Sequence, residues 1–317
     1  MRLVTIADVH AAAERITGEV VRTPLLPYRW AQPARPLWLK PENLQAVGAF
    51  KVRGAAHVVA RMTQAQRSLG VVAYSSGNHA QAVAYVAMVA GVPATIVIDD
   101  TAPERKVEAT RQLGAQVRQV PPEHRARVAE SIAAERGATL IPPFDHPDII
   151  AGQGTIGLEI AEDLSELSVV LVPVSGGGLA SGVGVAVKAL CPGAVVYGVE
   201  PELAADTRDS LRAGHLVRWS VDDRVRTSAD GLRAEPSPLT FAHLREVLDG
   251  VLTVSEAEIR STVRLLALRS NLVAEPSGAV AMAAYLHRGE QLPPGRTVAI
   301  VSGGNIDPAL LGEILGE

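Results

Sequence analysis

Short runs of β-branched and other apolar residues alternate with longer, alanine-rich segments along most of this chain. Several of the short runs are apolar almost throughout, which is typical of strands covered on both faces of a sheet. This alternation predicts α/β architecture with mostly parallel sheets, joined by right-handed crossovers. Two sheets that share one interface fit the strand count better than a single sheet. The predicted strands span residues 71–75, 94–99, 115–120, 168–174, 194–200 and 297–302, and the predicted helices span 51–66, 78–90, 103–113, 124–136, 152–164, 178–190, 255–269 and 276–287.

Composition and charge exclude several functional classes. The formal net charge is −4, and no basic stripe with interleaved aromatics occurs, so we expect no nucleic-acid partner. Cys191 is the only cysteine, which excludes disulfides within the chain and cysteine-based zinc sites. The first 18 residues lack the apolar core of a signal peptide. Gly91 and Pro93 interrupt the longest uncharged run, 80–98, so it predicts helix, turn and strand and not a membrane span. We therefore expect a cytoplasmic protein.

A glycine-rich stretch, "PVSGGGLASG" at 173–182, follows a predicted strand and opens a predicted helix. Three consecutive glycines let backbone N–H groups approach an anion, and the helix N-terminus behind them adds a favourable dipole. The dinucleotide-binding pattern fails, because a match started at Gly176 needs glycine where Ser181 stands. The stretch is therefore either a phosphate site or a turn that allows close packing.

A second stretch, "SSGNHAQA" at 75–82, also lies at a strand-to-helix turn. Helix capping by Ser76 or Asn78 explains part of the pattern. It does not explain why so many side-chain donors gather beside Gly77. Such a turn can hold a carboxylate through backbone and hydroxyl donors while an amide reaches a cofactor oxygen.

Lys51 stands in "GAFKVRGAAHVV", at the start of a predicted helix, and the stretch that follows it is small and apolar apart from Arg53 and His57. A solvated surface lysine is the simple interpretation. However, a lysine must lose its proton to act as a nucleophile, and a helix N-terminus and partial burial both disfavour the ammonium form. Together with the two loops, this placement indicates pyridoxal phosphate, which carries a phosphate, a ring hydroxyl and an aldehyde that condenses with an amine.

The chain resembles the threonine/serine dehydratase and serine racemase family of pyridoxal-phosphate-dependent enzymes, known as fold type II. The similarity runs from "TPLLPYRW" (23–30) to "SGGNID" (302–307). It also includes both loops, "LKPENLQAVGAFKVRGA" (39–55), "FDHPDIIAGQGT" (144–155), "VEPE" (199–202), "TSADGL" (227–232) and "EPSGAVA" (275–281).

The resemblance implies two domains, each an open, twisted, mostly parallel sheet flanked by helices, with the cofactor in the cleft between them. Residues 1–70 and 147–317 would form the large domain. Residues 71–146 would form the small domain, which would close over the substrate. A homodimer is usual in this family.

The resemblance also implies roles for individual residues. Lys51 would hold the cofactor as a Schiff base and then move the Cα proton, while Phe50 would flank the ring. Ser302 would face the pyridine nitrogen with a neutral hydroxyl and leave it largely unprotonated. The remaining cofactor contacts would come from Asn78, Ser175, Gly176, Gly177, Gly178, Leu179 and Gly231.

The same resemblance assigns the substrate carboxylate to the 75–82 loop, through Ser75, Ser76, Asn78 and His79. Ser76 would also be the proton donor on the opposite face of the substrate, as in relatives that racemise. One departure is Ala49, where many relatives have serine; this leaves the substrate less defined than the chemistry.

Relatives also bind a divalent cation near the phosphate loop. The matching positions are Glu200, the carbonyl of Ala204, and Asp206, a set that suits Mg²⁺ or Ca²⁺. An acidic surface turn is the alternative.

The activity implied is an L-threonine/L-serine ammonia-lyase, that is, a dehydratase, which gives a 2-oxo acid and ammonia. A serine racemase or a 3-hydroxyaspartate ammonia-lyase on the same scaffold is the nearest alternative. A non-catalytic amino-acid-binding relative is a further one.

Overall fold

The computed structural model describes residues 2–317 and has α/β architecture, as predicted. The strands are β1 (Leu26–Gln32), β2 (Arg35–Pro41), β3 (Val71–Tyr74), β4 (Ala94–Asp99), β5 (Gln116–Val120), β6 (Thr139–Leu140), β7 (Leu167–Pro173), β8 (Val195–Pro201), β9 (Gly250–Val254) and β10 (Arg296–Val301). The helices are α1 (Ile6–Ile16), α2 (Lys51–Arg61), α3 (Gln64–Leu69), α4 (Asn78–Ala90), α5 (Glu104–Gln112), α6 (Arg125–Arg136), α7 (Pro147–Asp163), α8 (Gly178–Leu190), α9 (Asp206–Ala213), α10 (Val221–Arg224), α11 (Pro238–Val247), α12 (Glu256–Ser270), α13 (Pro276–His287) and α14 (Pro308–Gly316).

The strands form two separate sheets. The smaller has four parallel strands in the order β5-β4-β3-β6, and the larger has six strands in the order β1-β2-β10-β7-β8-β9. In the larger sheet only β1 and β2 pair antiparallel, because the short link between Gln32 and Arg35 makes them a hairpin. This hairpin is absent from the strands predicted from the sequence.

Local capping explains where the predicted helices were wrong at their ends. The predicted helix 51–66 stops at Arg61, because Met62 is extended and Thr63 begins α3 with a capping box to Gln66. In contrast, α7 starts five residues before its predicted beginning, since Pro147 occupies the first turn and the His146 side chain accepts a hydrogen bond from Asp148 N.

The uncharged run 80–98 forms most of α4, a left-handed turn at Gly91 (φ +65°) and most of β4. The prediction of helix, turn and strand is therefore confirmed. Across residues 2–317, no helix is both long and apolar enough to cross a membrane.

One hydrophobic cluster joins α2 to the smaller sheet. Val52 and Ala55 of α2 pack with Val71 of β3 and with Ala84 of α4. The helix that carries Lys51 is thus fixed to the same core that supports the 75–82 loop. The domain boundaries at residues 70 and 147 stay a prediction.

A buried charge cluster fixes the other side of α2. Arg53 is fully buried and donates to Glu42 through Nε (2.8 Å) and to Glu159 of α7 through Nη1 (2.6 Å). Lys40, also fully buried near the end of β2, donates to Glu159 as well (2.6 Å). These ion pairs connect β2, α2 and α7, and so position the first turn of α2.

We expect Arg53→Met to lower the free energy of unfolding by about 3–5 kcal/mol, because it leaves Glu42 and Glu159 buried without their shared partner. Arg61→Met is the matched control on the same helix. Its partner is Asp148 and its side chain is 51% exposed, so the expected loss is about 1 kcal/mol or less. Urea unfolding of both variants measures the difference, and equal losses would contradict a special role for the buried cluster.

Candidate active site

The segment before Lys51 is tied to the loop after β10. Ala49 forms a β-bridge with Gly303, and Phe50 N donates to the carbonyl oxygen of Ser302 (3.1 Å). Gly304 N in turn donates to the carbonyl oxygen of Gly48 (2.8 Å). Lys51 and Ser302, which are far apart in the sequence, are therefore brought together by backbone hydrogen bonds.

The amine of Lys51 is enclosed by protein, although its side chain keeps some exposure. Nζ donates to the carbonyl oxygen of Pro143 (2.6 Å) and lies 5.1 Å from the centroid of the Phe50 ring. Burial lowers the pKa of Lys51 to about 8, because removal from water disfavours the charged form. The contact with the aromatic ring favours the ammonium, but it is weaker than the effect of burial.

The triple-glycine turn lies beside this amine. Phe144 follows Pro143 directly, and its ring packs on Gly176 so closely that an added Cβ would lie 2.3 Å from a ring carbon. Gly177 has φ +89°, in the left-handed region that favours glycine. The carbonyl that binds Lys51 and the aromatic ring that covers the glycines thus belong to consecutive residues.

Ser175 and Leu179 support the glycine turn. The Ser175 hydroxyl accepts from Ala234 N (3.0 Å) and donates to Ala234 O (3.1 Å), which fixes the start of the turn. The Leu179 side chain is buried in the core, so it can offer only its backbone N–H to a ligand. Behind them, the 13-residue helix α8 directs its N-terminus at the turn, an arrangement that favours an anion.

Asn78, the first residue of α4, reaches across to the larger sheet. Its Nδ2 donates to Glu275 Oε1 (2.6 Å), and its Oδ1 accepts from Asn305 Nδ2 (2.8 Å). Burial raises the pKa of Glu275 to about 7. Both polar atoms of the Asn78 amide are therefore held in place beside the loop after β10.

The other polar residues of the 75–82 loop face different directions. The Ser75 hydroxyl accepts from Gly77 N (3.2 Å), and the Ser76 hydroxyl donates to Asp99 Oδ2 (2.7 Å). The His79 ring is buried and its Nε2 donates to the carbonyl oxygen of Ile141 (2.8 Å). Burial, with a further contribution from the charge of Lys51, lowers the pKa of His79 to about 3, so the ring is neutral. His79 therefore presents its backbone to the loop, while its ring points into the interior.

Gly231 and Ser302 meet at Ser277. Gly231 N donates to Ser277 Oγ (2.9 Å), and the buried Ser302 hydroxyl donates to Ser277 O (3.4 Å). No carboxylate bonds the Ser302 hydroxyl in the described part of the chain, so this position offers a neutral donor or acceptor.

The predicted metal residues form a buried acidic pair. Glu200 accepts from the backbone of Thr207 (3.0 Å) and Arg208 (2.9 Å), while Asp206 Oδ2 is buried with no hydrogen-bond partner. Burial and, to a smaller extent, the charge of Asp206 together raise the pKa of Glu200 to about 8. Burial raises the pKa of Asp206 to about 7. Ala204, which lies between them in the sequence, is buried as well. Residues 2–317 contain no cluster of three or more His, Cys, Asp or Glu side chains that could hold a metal, so backbone and water would have to complete the coordination.

Sequence analysis assigns no role to several residues of this site, although most of them lie in the sequence blocks that carry the family resemblance. Phe144 opens "FDHPDIIAGQGT", Glu275 and Ser277 lie in "EPSGAVA", and Asn305 lies in "SGGNID". Pro143 acts through its carbonyl oxygen, which any residue could supply, and so leaves no signal in the sequence.

The residues present fit a phosphorylated aldehyde. Close packing against Phe144 and Thr240 accounts for glycine at 176–178, and the backbone N–H groups of this turn, with the N-terminus of α8 behind them, favour an anion. The amine with the lowered pKa lies at the adjoining segment, and an anchored amide lies on the facing loop.

Comparisons with known proteins agree with this arrangement. Residues 16–303 match the protein family described as pyridoxal-phosphate dependent enzyme. L-threo-3-hydroxyaspartate ammonia-lyase of Saccharomyces cerevisiae is 42% identical over 308 residues, which cover 96% of this chain and 94% of that protein. Serine racemase of Schizosaccharomyces pombe is 39% identical over 310 residues, 96% of this chain and 95% of that protein. The crystal structure of a threonine deaminase from T.th. has a TM-score of 0.90 at 43% identity and covers 96% of this chain and 99% of its own.

Proposed function

We propose that this chain, which belongs to the family of pyridoxal-phosphate-dependent enzymes, is an ammonia-lyase that converts L-threonine and L-serine to a 2-oxo acid and ammonia. The observation that carries the proposal is the enclosed Lys51 amine, bonded to Pro143 O beside the triple-glycine turn. Relatives named as ammonia-lyases, at about 40% identity over nearly the whole chain, support this class of reaction.

Lys51, the glycine turn and Asn78 would each have a separate role in the reaction. Pyridoxal phosphate, when bound, withdraws electrons from the amino acid and so makes the Cα proton acidic. Lys51 Nζ would hold the aldehyde carbon until the amine of the substrate replaces it, and the freed Nζ would then accept the Cα proton. The N–H groups of Gly176, Gly177 and Gly178 would bind the phosphate, and the Asn78 amide would bind the ring hydroxyl oxygen.

Ser302 and Phe50 would set the environment of the ring. A neutral hydroxyl facing the pyridine nitrogen leaves this nitrogen largely unprotonated, which weakens electron withdrawal and disfavours transamination. The ring of Phe50 would flank the cofactor, next to the lysine that follows it. Gly231, held by Ser277, would leave room for the ring on the other side.

Two further activities use the same residues. A serine racemase would need Ser76 as the acid on the face opposite Lys51, and a 3-hydroxyaspartate ammonia-lyase would need a site for a second carboxylate. Both stay alternatives, because the relative at 39% identity is named a serine racemase and the one at 42% a 3-hydroxyaspartate ammonia-lyase. A homodimer and a cytoplasmic location stay predictions.

A substrate panel tests the proposal. Purified protein loaded with pyridoxal phosphate is incubated with L-threonine, L-serine and L-threo-3-hydroxyaspartate, and both the 2-oxo acid and the enantiomer of the remaining amino acid are measured. We expect kcat/KM for oxo-acid formation to be highest for L-threonine or L-serine.

The matched variant is Lys51→Ala. It should lose the visible absorbance band of the lysine-bound cofactor and at least about 100-fold in turnover, the lower end of what a positioned acid–base group supplies. Oxo acid from 3-hydroxyaspartate alone, D-serine as the main product, or no turnover of any amino acid would each refute the proposed activity.

We further propose that Glu200, Asp206 and the carbonyl of Ala204 hold Mg²⁺ or Ca²⁺. The support is the unpartnered Asp206 Oδ2 near a second buried carboxylate, that of Glu200, an arrangement that is costly unless a cation or protons neutralise it. Such a cation would stabilise the turn after β8, which adjoins the strand that leads to the glycine turn.

We expect a chelator to lower the melting temperature by several degrees and either cation to restore it, because a ligand that binds only the folded state stabilises it. Asp206→Asn should abolish this response. The control Asp222→Asn removes the same charge from the exposed surface of α10 and should keep it. If neither the chelator nor a cation changes the melting temperature of the unmodified protein, the proposed metal site is ruled out.

A further inference from the structure

Asp99 is the last residue of β4, the strand next to β3 in the smaller sheet. The 75–82 loop follows the carboxyl end of β3, so Asp99 and the loop lie at the same edge of the sheet, where open α/β sheets bind their ligands. Ser76 Oγ donates to Asp99 Oδ2 (2.7 Å), and Asp99 N donates back to Ser76 Oγ (3.2 Å).

Arg125, the first residue of α6, binds the same carboxylate. Its Nη1 donates to both oxygens of Asp99, at 2.8 Å to Oδ1 and 2.6 Å to Oδ2. The side chains remain partly open to solvent, with Arg125 33% and Asp99 17% exposed. The Arg125 guanidinium and the hydroxyl of Ser76, which lies in the 75–82 loop, therefore both donate to Asp99 Oδ2.

We propose that Asp99 is a specificity-determining residue, which keeps Arg125 paired and thereby disfavours amino acids that carry a second carboxylate. This inference rests on the proposed function, in that the 75–82 loop holds the substrate. Asp99 acts through Arg125 and Ser76, whose side chains bind its carboxylate.

The physical reason is competition between two carboxylates. A substrate carboxylate that approached Arg125 would meet the negative charge of Asp99 and would have to displace it. Ser76 has a single hydroxyl proton, and Asp99 already accepts it. Two like charges a few ångströms apart near a protein surface repel enough to change a dissociation constant by about tenfold or more.

A neutral β-substituent is not subject to this repulsion. The hydroxyl of serine or threonine needs no cation, so pairing within the protein leaves binding of these amino acids intact. The geometry thus favours threonine and serine over 3-hydroxyaspartate.

The test compares L-aspartate with L-asparagine, which differ in the charge of the side chain and lack the β-hydroxyl that is eliminated. Their dissociation constants from the pyridoxal-phosphate-loaded protein are measured by calorimetry and by the change in visible absorbance. We expect the unmodified protein to prefer L-asparagine. Asp99→Asn should lower the ratio of the dissociation constant of L-aspartate to that of L-asparagine by about tenfold or more.

Asp100→Asn is the matched control, since it removes the same charge from the exposed next residue and should leave the ratio unchanged. Combining Asp99→Asn with Arg125→Gln should cancel most of the shift, because the released guanidinium is then gone. Asp99→Ser, which also removes the charge, should reproduce the shift and serves as the second variant if Asp99→Asn folds poorly.

An unchanged ratio in Asp99→Asn or Asp99→Ser, with the visible band intact and L-threonine still turned over, would overturn this proposal alone. Failure of the unmodified protein to bind or convert any of the amino acids would overturn the proposed function, and this inference with it.

Discussion

The enclosed amine of Lys51 is the feature on which the site depends. A hydrated lysine holds its proton at neutral pH, and a protonated amine has no lone pair with which to attack an aldehyde. Burial lowers the pKa of Lys51 to about 8, so about a tenth of these amines are neutral at pH 7. The same surroundings direct Nζ to the carbonyl oxygen of Pro143, one residue before the ring that packs on the glycine turn.

Long-range contacts hold this amine in place. Arg53, two residues further along α2, is fixed by Glu42 and Glu159, which anchor the helix to β2 and α7. On the other side, Phe50 is bonded to the backbone of Ser302. The position of the lysine is thus determined by a buried charge cluster and by a loop of the larger sheet.

Sequence patterns predicted the elements whose signals are local. Helix α4 and strand β4 have their predicted bounds, because Gly91 and Pro93 interrupt the apolar run between them. Lys51 and the glycine turn could be singled out for the same reason. The contacts of Asp99 with Ser76 and Arg125 could not, since each joins residues more than 20 positions apart and an acid at a strand end resembles a surface residue. The bond from Asn78 to Glu275 spans 197 positions and was missed likewise.

The pH dependence of cofactor capture tests the lowered pKa of Lys51 most directly. Protein freed of cofactor is mixed with pyridoxal phosphate between pH 6 and pH 11, and the growth of the visible band is followed, with Nα-acetyl-lysine as the exposed reference amine. We expect the rate to rise through a midpoint near pH 8 and then to level, since the amine is neutral above this pKa. A rate that keeps rising with that of the reference amine, to a midpoint above about pH 10, would show a fully hydrated lysine and contradict it.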